Sequence, residues 1–158
     1  MPEMQIPKKL KPFLKPSRVK CAVGGRGSGK SMTIADMCLM DAMTKGTKTL
    51  CFREYQNSID DSVHSLLASE IERLGLQGFE VQKSQILYND VAVFKFKGMA
   101  RDPEAIKGAH GFDRFWIEEA QTISFNSLKA LMPTLRTVGS EVWFSANPRS
   151  SADPFSQR

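Results

Sequence analysis

An open α/β fold is predicted by three features of this sequence. Strand-length apolar runs alternate with helical patterns, a glycine-rich turn joins the first run to the first helix, and polar or charged residues stand where later runs end. The glycine-rich turn is Gly24-Gly25-Arg26-Gly27-Ser28-Gly29-Lys30-Ser31, which fits the P-loop pattern of Gly, four residues, then Gly-Lys-Ser. A triphosphate must be wrapped closely by backbone N–H groups, and the side-chain-free positions 24, 25, 27 and 29 permit that approach. Lys30 then supplies a cation for the β and γ phosphates, and Ser31 places a hydroxyl on Mg²⁺. The helix that starts here aims its positive end at the phosphates.

Length and composition set the frame. The chain has 158 residues, 41% hydrophobic and 25% charged, which is the balance of one globular domain with a real core. No apolar run is long enough to span a bilayer, and the N-terminus lacks the apolar centre of a signal peptide, so an intracellular setting is expected. The net charge of +5 is uneven: residues 1–20 carry six Lys or Arg and one acidic residue, leaving sixteen of each sign in the remainder. Such a basic leader either touches nucleic-acid phosphates or is simply solvated. Cys21, Cys38 and Cys51 form no CxxC pair and sit among apolar residues, where free thiols pack, so neither a disulfide framework nor a zinc site is expected. With only His64 and His110 present, both read as surface residues, a His-rich metal site is excluded.

Residues 1–17 contain Pro2, Pro7, Pro12 and Pro16 and read as an irregular arm, with Phe13 anchoring it to the core. Gln5 or Phe13 is within sequence reach of an adenine. Val19 to Val23 suits a buried strand. Met32, Ala35, Leu39 and Ala42 recur at helical spacing, and that helix should stop near Lys45, before Gly46. Residues 47–53 read as the second strand, delivering Arg53 to the edge where open α/β sheets collect ligands; it is a site residue or a surface arginine. Ser58 and Asp61 resemble a capping box for a helix whose apolar face is Ile59, Val63, Leu66, Leu67, Ile71 and Leu74, ending at Gly75. Residues 79–83 and 86–96 look like an antiparallel insertion, with Asn89-Asp90 as a hairpin turn and Val91, Val93 and Lys95 on one face. Residues 98–112 read as a polar loop in which Arg101, Lys107 and His110 are solvated or touch phosphates.

Phe112 to Ile117 forms a buried strand that ends in Glu118-Glu119. Alone, the pair would be an acidic first turn of the next helix. Opposite a P-loop, it suits a Mg²⁺-dependent phosphate site: Glu118 orients the metal's water shell and Glu119 polarises the attacking water, the two aimed apart by strand alternation. Ser124 caps a helix halted by Pro133, and residues 141–145 form a last strand ending in Ser145-Ala146-Asn147-Pro148, either a γ-phosphate reporter or a plain turn.

GGRGSGKS, FREYQNS, FWIEEA and SANP, in this order and at these separations, resemble the ATPase half of the large terminase subunit of tailed bacteriophages, over about Val19 to Arg149. The resemblance implies a RecA-like P-loop NTPase of three layers with a mainly parallel sheet and a β-hairpin insertion. It implies ATP hydrolysis coupled to translocation of double-stranded viral DNA into a procapsid. The implied partners are the portal, a small terminase subunit and copies of the chain itself in a ring, in the host cytoplasm and with no membrane. By position, Lys30 and Ser31 match the Walker A pair, Glu118 and Glu119 the Walker B pair, Ser145-Ala146-Asn147 the coupling motif, and Arg26 an arginine used on the phosphates. The expected cofactors are ATP and Mg²⁺, with adenine favoured because no Asn-Lys-x-Asp run is present. Glu118 stands where Asp is commoner, so its metal contact is expected to run through water. Expected domains are a basic arm, 1–17, and the ATPase domain, 18–158. Full-length members continue into a ribonuclease-H-like nuclease, so nuclease activity is not expected of this chain. A RecA-like helicase or recombination ATPase is the alternative.

Overall fold

The computed structural model describes residues 5–24, 29–53, 63–98, 111–134 and 138–147. Its seven strands are β1 (Val19–Val23), β2 (Thr49–Arg53), β3 (Phe79–Val81), β4 (Gln85–Tyr88), β5 (Val91–Gly98), β6 (Arg114–Ile117) and β7 (Glu141–Ala146). They form one sheet in the order β1-β7-β6-β2-β5-β4-β3. The first four pairings along that order are parallel, and β5-β4-β3 continue antiparallel. The predicted mainly parallel sheet with a hairpin insertion is thus the observed one. The helices are α1 (Lys30–Lys45), α2 (Val63–Arg73) and α3 (Phe125–Leu131).

Alternation along the central strands explains the three layers. Cys51, Trp116 and Trp143 face the side covered by Ile34, Cys38 and Leu39 of α1 and Val63 and Leu67 of α2. Their neighbours Leu50, Phe52, Phe115, Ile117, Val142 and Phe144 face the other side, with Leu131 of α3. Each fully buried Leu, Ile or Phe contributes about 1.5–3 kcal/mol, so these two cores fix the strand ends that carry the polar residues.

Local signals place the boundaries. Gly46 takes φ 69° and its N–H reaches Asp41 O, closing α1 where a side chain would be strained. Ser124 Oγ accepts the N–H of Ser127 at 3.0 Å, capping α3. Asn89 and Asp90 both adopt positive φ, 47° and 69°, as a tight two-residue hairpin between β4 and β5 requires. Ser58, Ile59 and Asp61 lie outside the described residues, as do Arg101, Lys107 and His110.

Several expectations are corrected. β1 is not buried on both faces: Lys20 and Ala22 point inward, whereas Val19 and Val23 are exposed and Cys21 with them. The reason is topological, since β1 pairs only with β7 among the described strands. Cys38 and Cys51 are buried as expected. The arm is not irregular throughout, because Lys8–Leu14 winds into a 3-10 helix with Leu10 and Phe13 buried. Proline's fixed φ suits such a helix, and only its missing N–H is lost. His64 is half-buried, with Nε2 2.7 Å from Gln82 O and its ring 5.1 Å from Phe96.

The basic leader is partly interior. Lys20 Nζ lies 2.7 Å from Glu141 and donates to Phe13 O at 2.6 Å, while Phe13 packs edge-on against Trp143 at 5.0 Å. Arg114 lies 3.7 Å over the same indole and pairs with Asp41 at 2.6 Å. Burial alone would raise the Glu141 carboxyl, but hydrogen bonds from Lys20, Trp143 and the Ser17 N–H outweigh it and hold it below the ordinary range. The arm is therefore fastened by paired charges near the amino ends of the strands.

Where α1 meets α2, two carboxylates, Asp36 and Glu70, share one guanidinium: Arg73 donates to Asp36 at 3.1 Å and to Glu70 at 2.7 Å. Burial and the adjacent Glu70 carboxyl push Asp36 up to about 7, while Arg73 holds Glu70 low. A raised carboxyl contributes stability that is fully present below its unfolded value of 3.8 and is lost as pH rises through about 7. Glu70 acts oppositely, losing its contribution only in acid. The parental melting temperature is therefore expected to fall as pH rises from about 4.5 to about 7 and to level off above that. Asp36→Asn, which can still donate to Glu70, should flatten that fall; parallel thermal-melt curves would count against the pairing.

Candidate active site

Because β1, β7, β6 and β2 are parallel, their carboxyl ends lie along one edge, and the residues that follow them are drawn together. Gly24 follows β1 and donates its N–H to Ala146 O at 3.2 Å. Gly29, at φ 74°, caps α1, and its carbonyl accepts the Thr33 N–H at 3.0 Å. Between them, Gly25, Arg26, Gly27 and Ser28 lie outside the described residues.

Lys30 opens α1, and its buried ammonium donates to Gly24 O at 3.0 Å and to Asn147 Oδ1 beyond the end of β7. Loss of water around it lowers its pKa, and the charge of Glu118 works the other way. Ser31, half-buried, is the next residue of the helix.

The adjacent carboxylates diverge for a reason the strand pattern does not contain. β6 stops at Ile117, and Glu119 adopts a left-handed conformation, φ 53° and ψ 47°, that folds the chain into a short 3-10 turn, Ala120–Thr122. Such a backbone costs a non-glycine residue about 1–3 kcal/mol, and fully buried Ala120 with the Thr122 N–H to Glu119 O bond, 2.9 Å, holds it. Glu118 consequently points inward with 15% of its side chain exposed, and Glu119 outward with 46%. Burial pushes the Glu118 carboxyl up; Arg53 and Lys30 ease this, and Glu119 adds to it.

Arg53, at the end of β2, resolves to the site rather than the surface. Its Nε lies 3.2 Å from Glu118 Oε2 and its terminal nitrogen 2.8 Å from Glu119 Oε1, so one guanidinium spans both carboxylates. Among the described residues, no hydrogen-bond donor reaches the buried Glu118 Oε2, its contact with Arg53 Nε being Coulombic in geometry. That is an acceptor suited to a metal-bound water, and with the Ser31 hydroxyl it fits Mg²⁺, which takes few protein ligands and keeps several waters. Among the described residues no cluster of three His, Cys, Asp or Glu side chains is present.

Of the last three candidates, only Asn147 presents its side chain to this edge. The Ser145 hydroxyl turns inward to accept the Trp116 indole N–H at 3.0 Å, and Ala146 is buried. Gln121, absent from the sequence-derived candidates, accepts the Asn147 backbone N–H on Oε1 at 3.0 Å and is itself buried. Its one signal is that of an amide in the short stretch Ala120 to Ile123, between the acidic pair and Ser124. Beside Gly29 opens a cleft of about 410 Å³ lined by Gln5, Thr33, Asp36 and Arg73 among others. Gln5 borders it, whereas Phe13 is committed to Trp143.

Comparison with known proteins adds independent findings. A family model described as phage terminase large subunit matches residues 17–158. The PBSX phage terminase large subunit of Bacillus subtilis (strain 168) is 31% identical over 117 residues, which is 72% of this chain and 27% of that protein. Thus the matched region spans about a quarter of the relative's length. The N-terminal domain of the DNA packaging ATPase from bacteriophage phi29 superposes with a TM-score of 0.74 at 15% identity, over 96% of this chain and 82% of that one. A large terminase from a thermophilic bacteriophage, in complex with ADP, gives 0.71 at 14% identity, over 96% and 38%. At these identities the structural likenesses establish a shared fold.

Proposed function

The chain belongs to the phage terminase large subunit family, and from that premise we propose that it is a Mg²⁺-dependent ATPase whose turnover drives double-stranded viral DNA into a procapsid. The observation that carries this reading is the convergence of Lys30, Asn147, Glu118, Glu119 and Arg53 from four separate segments on one sheet edge. Such an arrangement offers a cation for phosphates, an inward carboxylate for a metal's water shell and an outward, accessible carboxylate for the attacking water.

In this reading the backbone of residues 24–29 cradles the phosphates, Arg26 and Lys30 neutralise them, and Ser31 and Glu118 hold Mg²⁺, Glu118 through water. When bound there, Mg²⁺ would supply charge neutralisation to the phosphates. Glu119 takes the proton of the attacking water, and Arg53 keeps both carboxylates at their separation. Asn147 stands closest to report the state of the phosphates, with Ser145 and Ala146 fixing the strand behind it. The cleft beside Gly29 receives the base, with Gln5 at its border. Residues 1–17 form the arm and 18–158 the ATPase domain. A ring of copies on the portal, a small terminase subunit and the host cytoplasm complete the setting.

The test is phosphate release from ATP by the purified chain with Mg²⁺, alone, with duplex DNA and a phage portal assembly, and with single-stranded DNA. Hydrolysis stimulated by the portal and duplex DNA is expected. Stimulation by single-stranded DNA alone, or no Mg²⁺-dependent binding of ATP, would overturn the reading.

A further inference from the structure

We propose that Asn147 and Gln121 form a resting-state latch on Lys30, so that an arriving nucleotide must draw the lysine off Asn147 and thereby signals its presence to the end of β7. The inference rests on the reading that Lys30 receives the phosphates, and it gives Gln121 a positioning role.

The backbone at the end of β7 is tied on both sides. Ala146 O accepts the Gly24 N–H at 3.2 Å, and the Asn147 N–H is donated to Gln121 Oε1 at 3.0 Å. With its main-chain N–H held by Gln121, Asn147 offers its side chain, which accepts from the Lys30 ammonium. Among the described residues, the other acceptor on Lys30 is Gly24 O, 3.0 Å away. Both are neutral oxygens serving a buried cation. Phosphate oxygens make stronger, charge-assisted bonds to an ammonium, so a nucleotide wins the competition, but its affinity is reduced by what the latch must give up. Release leaves the Asn147 amide free beside the phosphates.

Gln121 links this event to the chemistry. It belongs to the same 3-10 turn that Glu119 begins, two residues from that carboxylate. The turn therefore holds both the outward carboxylate and the main chain of the residue that latches the lysine. A shift at either end is felt at the other through one short, buried segment.

The test is a split in sign that general destabilisation cannot produce. Asn147→Ala removes the competing acceptor, so calorimetry with MgADP and with a non-hydrolysable MgATP analogue should show binding tightened by about 2- to 10-fold, the scale of one net hydrogen bond, while ATP turnover falls. Gln121→Met, which leaves the Asn147 N–H without its acceptor, should move affinity and turnover in the same two directions. Asn147→Leu, close in shape, serves as a second variant if alanine perturbs the fold. Lys30-dependent binding that is equal or weaker in these variants would overturn the latch alone. Binding that does not depend on Lys30 would overturn the site reading and the latch with it.

Discussion

Lys30→Ala is expected to abolish tight binding of MgATP, with a loss of at least about 30-fold, the lower end of what truncating one partner of a buried charge pair costs. Among the described residues of the phosphate loop Lys30 is the one cation, it is buried, and both of its present partners are neutral carbonyl oxygens. The nearby Arg53 guanidinium does not replace it, because Glu118 and Glu119 engage it. Isothermal calorimetry on the purified variant measures the loss; unchanged affinity would remove the loop from the proposed site.

The second large effect separates the two carboxylates. Glu119→Gln keeps the size and hydrogen bonding of the side chain but loses its basicity, so ATP should still bind while hydrolysis falls by about 10²- to 10⁴-fold, the usual scale of general-base catalysis. Glu118→Gln should weaken Mg²⁺ dependence and nucleotide binding together, since it is the inward carboxylate whose Oε2 lacks a hydrogen-bond donor among the described residues. Parental turnover in Glu119→Gln, with normal binding but no turnover in Glu118→Gln, would exchange the two roles. Both variants also release one arm of Arg53, so thermal melts should accompany the kinetics.

The elements themselves are legible in the sequence because their signals are local: helical spacing after the loop, Gly46 at a helix end, Ser124 at a helix start, Asn89-Asp90 between two short strands. The departures share a cause. That β1 lies at an edge and exposes Cys21 depends on which strands pair, and nothing in residues 19–23 encodes it. The arm's prolines announce the hydrogen bonds they remove, whereas packing of Leu10 and Phe13 decides that the segment winds and docks. Within the site, the phosphate loop and the acidic pair stand out by residue type alone. Arg53 is ambiguous in sequence because an arginine after a strand has many uses, and Gln121 is silent because its partner is 26 residues away. Strand alternation predicts the divergence of Glu118 and Glu119, but a left-handed backbone at 119 produces it.

The order of the strands also bears on how the chain acquires its site. Val19 pairs with Val142, so the first strand finds its neighbour only after nearly the whole described chain has been threaded between them. Closing a loop of that length is entropically late, and contacts of such high sequence separation slow folding. Gly24 and Asn147, which flank Lys30, come from the two ends of that loop. A half-folded chain therefore lacks the proposed nucleotide site. A nucleotide bound there would join the earliest and latest segments to assemble and, by mass action, shift the folding equilibrium toward the closed sheet.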